Sequence, residues 1–235
     1  MTIQTVFLDA GGVLLNPNWE RVSAGLAGHG VAVAPEVLEA AEPRAKKRLD
    51  AGPAIRATTD QQRGWTYFDL VLTAAGVPLN DATRAALAEL QAYHQESNLW
   101  ETVREEVPTV LAALRAHHFR LVVVSNANGT LRRALDRLRL TRAVDVVIDS
   151  HEEGVEKPDP RLFRIALERS GADPLTTIHV GDLYHVDVIG ARAAGIRPVL
   201  LDTADLYADC DCPRVRSLAQ LAAALTGPEP GDSRL

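Results

Sequence analysis

The hydrophobic and polar positions along the chain fall into stretches with different periods. Thr5 to Leu8 is a short apolar run with β-branched members, stopped by Asp9 and then by Gly11 and Gly12. Its length and composition predict a buried strand. From Trp19 to about Trp100 such runs disappear, and alanine-rich segments with helical spacing replace them. The spacing predicts helices over 19–28, 35–49, 60–75 and 81–93. Pro43 is expected to break or bend the second of these. Asp60 is expected to cap the third, with Gly76 just past its end. Trp65, Phe68, Leu72 and Ala75 share one face of that third helix, which marks them as core. The stretch RLDAGPAIRATTD ahead of it reads as a loop.

After Val107 strands and helices alternate. Strands are predicted over 119–124, 144–148, 177–180 and 198–201. Helices are predicted over 109–116, 130–140, 160–170, 186–194 and 217–225. Asp159, Pro160 and Gly171 frame the helix over 160–170 as cap, first position and stop. This alternation implies an α/β fold: a three-layer Rossmann-like core with a parallel sheet and helices on both faces. The helical stretch then reads as an inserted α-helical cap domain over 16–102. The core comprises 1–15 and 103–227, and 228–235 is expected to be a disordered tail.

In parallel sheets of this kind, ligands bind beyond the carboxyl ends of the strands. Asp9, Ser125 and Asp182 all stand at such ends, so they are expected to converge. A carboxylate there is costly unless it is paired or used, and the glycines after Asp9 let backbone approach a ligand. Asp9 is therefore the candidate nucleophile, with the backbone of Ala10 and Gly11 as a cradle for an anion. Ser125 and Asn126 offer a hydroxyl and backbone N–H groups to an anionic oxygen. Asp182 and Asp187 offer hard oxygen ligands. Lys157, in EKPDP, is held just ahead of a rigid helix start. Several carboxylates in one dry site need positive compensation. A lysine and Mg²⁺ would supply it, since Mg²⁺ takes one or two carboxylates, waters and a substrate phosphate. The same set would stabilise a transferring phosphoryl group, which points to chemistry through an aspartyl-phosphate.

Composition narrows this little. Hydrophobic residues make up 46% and charged residues 24%, and the net charge is −6 with no basic block. A nucleic-acid partner is therefore not expected. The sequence start carries neither a charged leader nor a long apolar run, so no membrane contact is expected either. Cys210 and Cys212 are too few and too close for a disulfide framework, and they read as loop residues in a reducing, cytoplasmic setting. The expected partner is a small phosphorylated metabolite, and the expected assembly a monomer or homodimer.

Four stretches, in order, resemble the motifs of the haloacid dehalogenase-like (HAD) hydrolase superfamily, in its capped, phosphatase-like branch. They are FLDAGGVLL, VVVSN at Val122 to Asn126, EKPDP at Glu156 to Pro160, and HVGDLYHVD at His179 to Asp187. The resemblance implies Asp9 as nucleophile and Mg²⁺ ligand, Ser125 on the phosphoryl oxygen, and Lys157 neutralising both. It implies Asp182 as a metal ligand, Asp187 as its support, and the Gly11 carbonyl on the metal. One position departs. Phosphatases of the family read D-x-D-G-T/V, and Gly11 stands where their second acid would be. That acid protonates the leaving group and later activates water, help worth roughly 10²–10⁴-fold. Slow turnover, a preference for activated phosphates and an accumulating phosphoenzyme are the expectation. The alternatives are a catalytically impaired phosphate-binding or regulatory protein, and a dehalogenase- or phosphonatase-type enzyme that cleaves a C–X or C–P bond.

Other residues have plainer readings. Lys46 and Lys47 stand where a phosphonatase would place its Schiff-base lysine, but AKKRLD also reads as a solvated helix face. His179 reads as a hydrogen-bonded core histidine, and His185 as the nearest substitute acid or base. Asn16, Asn18, Trp19 and the stretch Arg44 to Arg56 are candidate substrate contacts.

Overall fold

The structure, a computed structural model, describes residues 2–227, without the side chains of residues 54 and 56. The tail 228–235 lies outside the described residues. In chain order the elements begin with β1 (Thr5–Leu8) and β2 (Asn16–Pro17). Five helices follow: α1 (Trp19–Gly28), α2 (Pro35–Leu49), α3 (Gly52–Ala57), α4 (Asp60–Ala74) and α5 (Asp81–Ser97). Then come β3 (Trp100–Thr102), α6 (Glu106–Ala116), β4 (Arg120–Ser125), α7 (Leu131–Arg137), β5 (Val146–Asp149) and α8 (Ser150–Glu153). The chain continues through α9 (Pro160–Ser170), β6 (Thr177–Gly181), a π-helical turn at Tyr184–Val188 and α10 (Ile189–Ala193). It ends with β7 (Arg197–Leu201), β8 (Arg214–Val215) and α11 (Leu218–Thr226).

Contacts divide the chain into two compact units. One comprises Met1–Asn16 and Thr102–Leu235, the other Pro17–Glu101. The first holds a six-stranded sheet in the order β5-β4-β1-β6-β7-β8. All its pairings are parallel. Alternation along the strands sends Phe7, Val122, Val124 and Ile148 into one apolar layer with Leu162 and Phe163 of α9. The opposite face is buried as well, with Val6, Leu8, Leu121 and Val123 fully inaccessible. Burial on both faces explains why these strands read as continuous apolar runs. β1 lies at the centre, so its carboxyl end is flanked by those of β4 and β6.

The second unit has its own core, built on Trp19, Leu26, Leu38, Phe68, Leu72 and Leu90. α2 runs unbroken through Pro43, so the proline does not break it. Its buried stripe, Leu38, Ala41, Ala45 and Leu49, holds the helix together where the proline removes one backbone donor. The expected loop before α4 contains α3, with a proline in its first turn. The cap of α4 is Thr59, not Asp60: Thr59 and Gln62 form a reciprocal capping box. Trp65 stacks on Phe68 at 5.4 Å, as core packing. No helix among the described residues is long and apolar enough to cross a membrane.

Candidate active site

Asp9 leaves β1 buried, and its backbone N–H still bonds the Val180 carbonyl of β6 at 2.9 Å. Its Oδ1 accepts from the Ser125 hydroxyl at 2.7 Å and from the Ala10 amide at 2.7 Å. Its Oδ2 lies 2.9 Å from Lys157 Nζ. The turn after it is tight. Leu14 and Leu15 both donate to the Ala10 carbonyl, and Gly12 adopts a φ of 74° that a side chain would resist. Gly11 is half-buried in that turn and bridges to Leu15.

Lys157 is fully buried and shared. Its Nζ is 2.7 Å from Asp187 Oδ1 as well as 2.9 Å from Asp9 Oδ2. A side-chain amide fixes its backbone: Asn126 Oδ1 accepts from Lys157 N at 2.7 Å, and Asn126 Nδ2 donates to Lys157 O at 3.0 Å. Asn126 thus braces the lysine, a role the sequence reading did not give it. The Lys157–Pro158 peptide bond is cis.

Asp187 is oriented from three sides. Besides Lys157, His179 Nε2 lies 2.9 Å from Oδ1, and the Leu183 amide donates to Oδ2 at 3.1 Å. The Asp187 carboxylate fills the place where a side chain at residue 181 would sit. A Cβ on Gly181 would come within 2.0 Å of Asp187 Cγ, so the G-D pair needs its glycine for space. His179 is the core histidine expected from its apolar neighbours, packed edge-on against Phe163 at 4.8 Å. No local pattern marks Asp187 as its partner. Burial lowers its pKa, so it is neutral and Nε2 is the donor.

Electrostatics separate the two carboxylates that share the lysine. Burial pushes Asp9 up to about 6, against the pull of Lys157, and the charge of Asp187 adds to the rise. Burial acts on Asp187 in the same sense. There, however, Lys157 and the His179 hydrogen bond outweigh it and hold the carboxyl below the ordinary range. Burial would strip the proton from Lys157, but Asp187 and Asp9 reverse this and raise it. A proton entering the cluster therefore goes to Asp9.

Asp9, Asp182 and Asp187 are all buried, and each offers one oxygen within 4.8 Å of the others. Three hard oxygen donors against one ammonium fit a divalent cation of the Mg²⁺ class in both donor type and charge. The remaining candidates behave differently. Asn18 caps α1, accepting from the Arg21 amide at 2.9 Å, and donates to Glu101 at 3.0 Å. Trp19 belongs to the core of the helical unit. Both amide atoms of Asn16 are buried with no hydrogen-bond partner among the described residues. Lys46 is paired with the buried Glu42 at 2.9 Å. The His185 ring rests edge-on against Tyr184 at 5.2 Å.

The family described as haloacid dehalogenase-like hydrolase matches residues 3–195 of this chain. The chain belongs to that family. Within it, the chain is 32% identical over 195 residues to the mouse haloacid dehalogenase-like hydrolase domain-containing protein 3, covering 80% of this chain and 76% of the relative. It is 32% identical over 151 residues to the ribulose-1,5-bisphosphate 5-phosphatase of Halopiger xanaduensis, covering 63% and 62%. A solved HAD-hydrolase from Bacillus subtilis superposes with a TM-score of 0.70 at 17% identity, over 96% of this chain and all of that one. That likeness shows the HAD fold, and the six-stranded parallel sheet with its flanking helices is that fold.

Proposed function

We propose that this chain is a Mg²⁺-dependent HAD phosphatase that works through an aspartyl-phosphate on Asp9. The observation that carries the proposal is the setting of that carboxylate. It is buried at a strand end between the Ser125 hydroxyl at 2.7 Å and the Lys157 ammonium at 2.9 Å. A nucleophile, a hydroxyl donor and a fixed cation within one bond of each other form the arrangement phosphoryl transfer needs. The phosphatase named among the relatives agrees with a small phosphorylated substrate.

In the first step an Asp9 oxygen attacks phosphorus and the bond to the leaving oxygen breaks. Ser125 and Lys157 hold the charge on the phosphoryl oxygens, and the Asn126 bracket keeps Lys157 in place. In the second step water attacks the acyl phosphate, releasing phosphate and restoring Asp9. Mg²⁺, held by Asp9 and Asp182 with the Gly11 carbonyl and supported by Asp187, would neutralise the excess negative charge. By the family resemblance, the helical unit serves as the cap that selects the substrate.

Gly11 shapes the kinetics. No carboxyl at that position can protonate a leaving alcohol or activate the water, so good leaving groups are favoured and the second step is slow. The test is a phosphatase panel of wild type and Gly11→Asp, with and without Mg²⁺. Gly11→Asp is expected to raise the rate on sugar phosphates by roughly tenfold or more, with a smaller gain on aryl phosphates. Equal rates on both classes would contradict the reading. The C–P alternative is disfavoured by the Lys46–Glu42 ion pair, which ties that lysine to a buried carboxylate of its own helix. The C–X alternative leaves the Asp182 and Asp187 carboxylates unused.

A further inference from the structure

Cys210 and Cys212 lie in the loop between β7 and β8, with their sulfurs 3.5 Å apart. The two thiols are not equivalent. Cys212 is buried in a small apolar cluster with Val188, Leu200 and Tyr207, while Cys210 is only half-buried at its edge. Burial, and then its hydrogen bond to Cys210, push the Cys212 thiol up to about 12. Cys212 therefore keeps its proton, and Cys210, half-buried at the edge, is the sulfur in reach of solvent.

The residue between them is tied elsewhere. Asp211 Oδ1 accepts from the Tyr184 hydroxyl at 2.6 Å and from the Arg192 guanidinium at 2.9 Å. Tyr184 opens the π-helical turn that carries Asp187, and Arg192 lies in α10 directly after it. Two ligands are too few for a structural metal site, so a soft metal does not account for the pair.

We propose that Cys210 and Cys212 form a reversible redox pair, closed to a disulfide by exchange with a low-molecular-weight disulfide such as oxidised glutathione. The Cys210 thiolate attacks one sulfur of that disulfide, forming a mixed disulfide and expelling one thiolate. Cys212 then loses its proton to solvent and attacks Cys210 Sγ, forming the internal bond and expelling the second thiolate, which is protonated. Two protein thiols are oxidised and one small disulfide is reduced to two thiols. The sulfurs must approach to about 2.05 Å, which displaces the Asp211 backbone between them. The ring spans only three residues, and a strained bond of this kind is readily reduced. Closing it shifts the anchor of Tyr184 and Arg192, and so loosens the segment 184–193. This inference does not depend on the phosphatase reading.

The test treats the full chain with oxidised glutathione, then applies intact mass measurement and thiol titration. Wild type is expected to lose two hydrogens and both titratable thiols, and a reductant restores them. Cys212→Ser is expected to stop with one glutathione attached. Cys210→Ser is expected to react at least about tenfold more slowly than Cys212→Ser. Hydrogen exchange across 184–193 is expected to speed up in the oxidised protein. A wild type that keeps both thiols, retains glutathione or links two chains would overturn the proposal. So would Cys210→Ser reacting as fast as Cys212→Ser. Unchanged exchange over 184–193 would overturn the coupling to that segment.

Discussion

Each of the two units buries acid, and the two do it differently. In the helical unit, Glu42 of α2 is almost inaccessible. One of its oxygens accepts from Tyr67 Oη at 2.8 Å and pairs with Lys46 at 2.9 Å. That carboxylate meets one ammonium and one hydroxyl. In the sheet unit, Asp9, Asp182 and Asp187 are buried together, and one fully buried lysine, Lys157, pairs with Asp9 and Asp187. The Glu42–Lys46 pair lies within one helix, four residues apart. Three carboxylates gathered beside strand ends, each with an oxygen within 4.8 Å of the others, suit a cation better than a single ion pair does. The contrast separates a packing device from a chemical one more clearly than burial does, since both acids are buried.

The sharpest break between the two is expected in turnover. Asp9→Asn should lower kcat at least about 10⁴-fold, the loss typical of a removed nucleophile. Glu42→Gln should leave it near wild type, and rates on an aryl phosphate decide this. Next in size is stability. Lys157→Met leaves buried carboxylates unpaired, which costs about 3–5 kcal/mol. Glu42→Gln keeps its hydrogen-bond geometry and costs about 1 kcal/mol. Denaturant melts of both variants would show whether the order holds.

The pH dependence should come third. Asp9 is raised in the fold, so its contribution to stability is fully present below its ordinary pKa of 3.8 and is lost as pH rises through about 6. The difference in stability between metal-free wild type and Asp9→Asn should thus fall over that window, by up to roughly 3 kcal/mol. Asp187 is lowered instead, so its contribution is present above its ordinary value and fades only at more acid pH. Melting both proteins between pH 4 and 7 measures the slope. The smallest effect concerns the cation. At about 100 times its dissociation constant, Mg²⁺ should stabilise wild type by about 2.7 kcal/mol. Gly181→Ala should weaken this response, because its Cβ would lie 2.0 Å from Asp187 Cγ.

Much of this was readable from sequence, and the reason is geometric. Asp9, Ser125 and Asp182 end or directly follow strands of one parallel sheet, so their convergence follows from topology once the strands are recognised. The partners that cross between elements were not readable. Nothing local shows that His179 reaches Asp187 at 2.9 Å or that Asn126 clamps Lys157. The need for glycine at 181 appears only when Asp187 is seen folded back over it. Capping was ambiguous because Thr59 and Asp60 are both good caps, and only the Gln62 reciprocal bond selects Thr59. β8 has two residues, too few to show a period.

If Asp9 takes the phosphoryl group, the acyl phosphate on it can be trapped. Rapid acid quench with a labelled aryl phosphate, followed by peptide mapping, tests it directly. Close to one phosphoryl group per chain is expected on the peptide carrying Asp9, formed faster than the steady-state rate and absent from Asp9→Asn. Steady turnover of the same substrate with no label on that peptide would contradict it.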